Sequence, residues 1–164
     1  MKKKCILVLL TFVPLIMGEI VSATVLNPKI GMFIFNVFPL VTSAFWVFLG
    51  VKFAHTNWNA LLAIIIGNST GIVSLLLYLL WSFVLQSDET ISSVLAFISQ
   101  KYFASVPWQL TKLAIFIRGS DVMGRELTTT IYVVRLIYMI LIFSVAFLVE
   151  RYRMNYSNIK TKKA

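Results

Sequence analysis

Three polar residues interrupt stretches that are otherwise apolar. Glu19 stands in "LIMGEIVSA", Asn36 in "MFIFNVFPL" and Arg135 in "IYVVRLIYMILIFS". A carboxylate, a carboxamide and a guanidinium brought together could hold a charged solute, or could lock helices to one another. An arginine well inside hydrocarbon costs roughly 2.5–3.5 kcal/mol on insertion scales, so it needs a partner or a route to water. Glu19 lies seven residues before Leu26, and Arg135 seven residues after Thr128. At a rise of ~1.5 Å per residue, antiparallel spans ending at Leu26 and starting at Thr128 put both charges ~10 Å below the same face. Equal depth and opposite charge predict a Glu19–Arg135 pair, the guanidinium fork matching the carboxylate. Asn36, six residues after Ile30, reaches a similar depth and completes the cluster. Three uses of these residues stay open: a structural lock, a polar site opening outward, and an unpartnered arginine snorkelling to the interface.

Other residues offer less chemistry. Asp88, Glu89, Asp121 and Glu126 fall in one polar segment and could be gathered by folding, although their spacing does not demand it. His55 is the one histidine and cannot build a multi-histidine metal site. Cys5 is the one cysteine, which excludes an internal disulfide and a cysteine metal cluster and reads as an apolar filler. The sequence has no HExxH, no GxSxG and no glycine-rich phosphate loop. It suggests no cofactor, no metal and no catalytic residue.

The elements that must position these residues follow from composition. The chain has 164 residues, 59% hydrophobic and 13% charged, against about 25% charged in soluble domains. That balance predicts an all-α integral membrane protein forming a single membrane domain. Four stretches are long and apolar enough to span, at about 5–26, 30–51, 60–85 and 128–149. The basic start of "MKKKCILVLLTFVPLIMGEIVSA" also outlines a signal peptide, but the apolar run continues past Ala23 and favours a retained span. Pro14 and Pro39 each release a helical carbonyl inside a span.

Lysine and arginine placement sets the orientation. With four spans, one side carries nine basic residues (Lys2, Lys3, Lys4, Lys52, Arg151, Arg153, Lys160, Lys162 and Lys163) against Glu150, a net +8. The other carries five bases (Lys29, Lys101, Lys112, Arg118 and Arg125) against four acids, a net +1. The positive-inside rule puts both termini in the cytoplasm. Nucleic-acid binding is not indicated, because the basic residues accompany the spans. Trp46 and Trp58 are expected near the cytoplasmic interface, and Trp81 and Trp108 near the outer one. Segment 86–127 reads as two amphipathic helices lying on the outer interface, with a re-entrant hairpin or a fifth span as alternatives. Residues 150–164 form a basic cytoplasmic tail, and its end "NYSNIKTKKA" (155–164) is expected to fray.

Small residues mark packing faces. Gly67, Gly71 and Ser74 form one, and Gly18 and Ser22 another. They predict close approach within the bundle, of the first and third spans in particular, or a homodimer contact. The stretches "FWVFLGVKFA" (45–54) and "IIIGNSTGIVSLLLYLLWSFVL" (64–85) resemble uncharacterised small multi-spanning membrane proteins of Gram-positive bacteria. The resemblance implies a bacterial cytoplasmic membrane and no activity. The expected function is a non-enzymatic accessory subunit or modulator of a transport, secretion or envelope complex, embedded in the lipid bilayer beside a larger partner. A small transporter using Glu19, Arg135 and Asn36, and an enzyme acting on a lipid or envelope precursor, are the alternatives.

Overall fold

The computed structural model describes residues 2–84, 89–119 and 124–161, apart from the side chains at 2, 3, 89–93 and 158–161. Asp88, Asp121 and the side chain of Glu89 lie outside the described residues. The described elements are helices: α1 (Lys2–Leu10), α2 (Val13–Thr24), α3 (Gly31–Ala54), α4 (Ala60–Gly67), α5 (Ser69–Leu79), α6 (Glu89–Ala104), α7 (Leu110–Arg118) and α8 (Arg125–Thr161). A π-helical turn, Leu80–Val84, continues α5.

Three helical stretches are long and apolar enough to cross a membrane: Lys4–Thr24, Gly31–Ala54 and Arg125–Ser157. A fourth, Ala60–Gly67 with Ser69–Val84, qualifies as a pair but bends by 56° at its centre. Large apolar side chains cover the outward faces, among them Leu9, Ile16, Leu61, Leu76, Val145 and Leu148. In water so much exposed apolar surface would drive aggregation, whereas lipid covers it at no cost.

The core is built on α3 and α8. Trp46, Leu49 and Phe53 meet Met139, Phe143 and Phe147, all fully buried. Gly50 permits the approach, since a Cβ there would stand 2.6 Å from the Phe143 carbonyl oxygen. Trp46, expected near the cytoplasmic interface, is wholly enclosed by the bundle. It is a core residue because Asn68 supplies the acceptor its indole N–H needs, at 2.9 Å.

Two of the spans are broken. Between α1 and α2 the Thr11 hydroxyl donates to the Val8 carbonyl at 2.7 Å, and Pro14 opens α2 without an N–H to continue the ladder. Between α4 and α5 the Asn68 side chain donates to the Ile64 carbonyl at 2.9 Å while accepting from Trp46. The breaks meet through a buried hydrogen bond from Thr70 to Thr11, 3.0 Å long.

Both chain ends share one end of the bundle. There the Lys4 ammonium sits 5.2 Å from the Trp58 ring centroid, and Arg151 donates to the Trp58 carbonyl at 3.1 Å. At the other end Arg125 donates to the Ser82 carbonyl and Arg118 pairs with Glu126. α8 continues as one helix to Thr161, and the rest of the tail expected to fray lies outside the described residues. Its 37 residues make it ~55 Å long, well beyond the ~30 Å of bilayer hydrocarbon.

Among the described residues of segment 86–127, one side of α6 faces protein through Ala96, Ser99, Tyr102 and Phe103, while Val94, Phe97 and Ile98 stay exposed. This helix packs against α2 and α5, and α7 packs against α8. Ala96, Tyr102, Phe103 and Val106 are buried, as is the whole tip 105–107 between the two helices. The pair is a helical hairpin inserted tip-first into the bundle.

Candidate functional site

Inserting a hairpin creates an electrostatic problem. The last carbonyls of α6 have no partner within their own helix, and here they end inside the bundle. Pro107 prevents the helix from simply continuing. Two cations answer this. Lys101 lies in the last turn of α6, where positive charge complements the helix dipole. Arg135, reaching across from α8, donates through one terminal nitrogen to the Phe103 carbonyl at 2.9 Å. Its other terminal nitrogen donates to the Thr111 hydroxyl of α7 at 3.0 Å. Arg135 thus ties the end of α6 to the start of α7 and both to α8. It is a cap for a buried helix end.

The expected Glu19–Arg135 pair does not form. The Glu19 carboxylate lies 2.7 Å from the Lys101 ammonium instead. The expected pairing had left Lys101 in a surface segment. Once α6 is inserted, Lys101 comes to the level of Glu19, and its ammonium also sits 4.2 Å from the Phe97 ring centroid. Gly18 allows the contact: a Cβ there would fall 1.6 Å from the Lys101 carbonyl oxygen. The small face of α2 therefore receives α6, and the expected approach of the first and third spans occurs elsewhere, at Thr11 and Thr70.

Asn36 belongs to neither pair. Its amide donates to the Met32 carbonyl at 2.8 Å, and its oxygen accepts from the Trp108 indole at 3.3 Å. Trp108 stacks on Phe35 with centroids 5.8 Å apart. The Gly67 and Gly71 face also points inward. A Cβ at Gly67 would strike the Phe143 ring of α8, one at Gly71 the Tyr102 ring of α6 and Leu136 of α8. Ser74 is buried on the same helix.

These contacts leave a cleft of about 480 Å³ between α2, α3, α7 and α8. Val21, Ser22, Val25, Phe35, Pro39 and Ile115 form its mainly apolar walls, and Trp108, Thr111, Lys112 and Arg135 supply the polar atoms. Ser22, expected only to pack, lines this cleft. Among the described residues no carboxylate lines it. Glu19, the nearest expected counter-charge, is occupied by Lys101. Among the described residues Arg135 bonds only neutral acceptors, and its Nε is buried without a hydrogen-bond partner. The arrangement can attract an anion. It offers no base beside Ser22 or Thr111, and so no activated nucleophile.

Lys101, Trp108, Thr111 and Lys112 were not expected as partners of the polar cluster. A signal existed in "FASVPW", where a proline just after an apolar helical run marks a helix end. A helix end enclosed by protein requires donors, and Arg135 is the donor it receives.

At the opposite end Glu150 gathers His55 at 3.2 Å and Arg153 at 3.6 Å. No group of three or more His, Cys, Asp or Glu among the described residues could hold a metal ion. Glu126, one of the four outer acids, is paired with Arg118.

Comparison with known proteins returns no matching family model, no matching curated protein and no matching solved structure.

Proposed function

We propose that this protein is a non-enzymatic, four-span membrane protein that serves as an accessory subunit or modulator of a larger transport, secretion or envelope complex. In this reading it sits in a bacterial cytoplasmic membrane with both termini inside, and α6–α7 is a re-entrant hairpin entering from the outer face. The positive charge gathered on the N-terminus, Lys52 at the end of α3 and the C-terminal part of α8 supports that orientation.

One observation carries the accessory reading: Glu19, Arg135 and Asn36 each hold one element of the bundle to another. Glu19 binds Lys101, Arg135 caps α6, and Asn36 holds Trp108. A transport site would instead present such groups to a solute. The outer surface of α3 and α8 supports the same reading. Val47, Val51, Leu141, Val145 and Val149 line an open apolar groove of about 470 Å³ there, a shape suited to a partner's helix.

A second reading, a small transporter, has one observation in its favour. Broken helices that meet inside the membrane are how many transporters build a binding site, and α1/α2 and α4/α5 meet at Thr11 and Thr70. An enzyme acting on lipid precursors finds less support, since Glu126 is occupied by Arg118.

Purifying a tagged full chain from its native membrane in mild detergent, with mass spectrometry of what accompanies it, separates these readings. A stoichiometric larger membrane partner is expected. A lone chain in good yield, with solute uptake lost on changing Thr11 or Thr70, would replace the accessory reading with the transporter.

A further inference from the structure

The cleft beside Arg135 has a charge imbalance that the hairpin alone does not resolve. Arg135 is half-buried, yet among the described residues it meets only a backbone carbonyl and a hydroxyl. Its Nε–H points at no acceptor. Lys112 adds a second cation on the same cleft, its ammonium 5.5 Å from the Trp108 ring centroid. Two cations with no lining carboxylate call for an anion, because a cation removed from water is stabilised mainly by a counter-charge.

The walls indicate what kind of anion. Val21 and Pro39 are buried in the cleft, while Val25 and Ile115 are partly exposed and lie at its margin with the exposed Lys112. Phe35 and Trp108 supply a stacked aromatic surface. An inorganic anion would leave these apolar walls uncovered. A molecule with a phosphate at one end and a hydrocarbon chain at the other satisfies both halves.

We propose that this cleft binds an anionic phospholipid, its phosphate between Arg135 and Lys112 and an acyl chain against Val25, Phe35 and Ile115. Bound there, the lipid fastens α7 to α2 and α3 and supplies the counter-charge that Glu19 does not. The proposal stands whether or not the protein has a larger partner.

Native mass spectrometry of the delipidated full chain tests it, with phosphatidylglycerol and phosphatidylcholine of identical acyl chains as probes. The wild type is expected to retain phosphatidylglycerol at least about fivefold better, the factor a single basic side chain contributes near an anionic surface. Lys112→Gln, at an exposed position, should reduce that preference about fivefold. Ser22→Phe, which fills the cleft, should abolish retention. Thermal melts in detergent confirm that both variants are folded, and Lys112→Gln decides alone if Ser22→Phe is not. Equal retention of the two lipids by the wild type, or unchanged preference in Lys112→Gln, overturns the proposal. Displacement of phosphatidylglycerol by millimolar inorganic phosphate also overturns it, since the site would then recognise a free anion.

Discussion

The two ends of the bundle handle charge in opposite ways. At the end holding both termini, Lys4, His55, Glu150, Arg151 and Arg153 interact around a short loop. His55 and Arg153 keep much of their surface open, with side chains 52% and 80% exposed. At the other end two cations are drawn inward, while Lys112, Arg118 and Arg125 stay exposed. Lys101 is only 14% exposed, and Arg135 reaches a backbone carbonyl inside the bundle. The difference comes from backbone. Helices that end near water can leave their terminal carbonyls to solvent, so charges there are optional. A helix that ends within the bundle cannot, so α6 requires cations at its C-terminus. Buried charge marks the place where backbone hydrogen bonding runs out.

This contrast predicts unequal costs. The largest belongs to Arg135→Ala, which leaves the Phe103 carbonyl and the Thr111 hydroxyl without their donor. Hydrogen bonds from a charged group contribute ~1.5–3 kcal/mol each, so denaturation in mixed micelles should show a loss of about 3 kcal/mol or more. Arg135→Lys, with a single ammonium, should recover only part of it. A neutral result for Arg135→Ala would mean that the end of α6 is not buried.

Gly18→Ala comes next. Its Cβ would collide with the Lys101 backbone, which cannot rotate away, and α2 and α6 must separate. Overpacking of this kind costs about 1–3 kcal/mol. Gly67→Ala meets the tip of the Phe143 ring, a side chain that can turn, and should cost less in the same denaturation series. If Gly67→Ala proves the worse of the two, the α2–α6 contact is looser than described.

Trp46→Phe removes the donor to Asn68 at the break between α4 and α5. An unsatisfied buried acceptor costs ~1–3 kcal/mol, and the measured loss should shrink in the double variant with Asn68→Leu. His55→Ala, at the water-exposed end, should cost under about 1 kcal/mol, as exposed ion pairs do. A large loss there would erase the contrast between the two ends.

Much of the architecture was legible because hydropathy reports burial in lipid directly. The apolar stretches, their approximate limits and the clustering of basic residues around both termini follow from composition. The break at Asn68 was written in "GNSTG", a run of turn-forming residues, but the same glycines fit a packing face and the stretch read as continuous. In fact they do both, since Gly67 and Gly71 receive Phe143 and Tyr102. The partner of Glu19 was not legible. Depth follows from counting residues along a span, but Lys101 belongs to a helix whose insertion depends on tertiary contacts. Amphipathicity shows that α6 has an apolar side and does not say whether lipid or protein covers it. Arg135 demanded a partner, and a backbone carbonyl has no letter in the sequence.

The central claim is that Glu19 pairs with Lys101 while Arg135 caps α6. A comparison of two charge swaps, scored by the amount of folded protein in the membrane, tests it most directly. Single changes at Glu19, Lys101 and Arg135 should each lower that amount. Glu19→Lys with Lys101→Glu should restore it, whereas Glu19→Arg with Arg135→Glu should not, because a glutamate at 135 cannot donate to the Phe103 carbonyl. Rescue by the second swap and not the first would contradict the account and return Arg135 to Glu19.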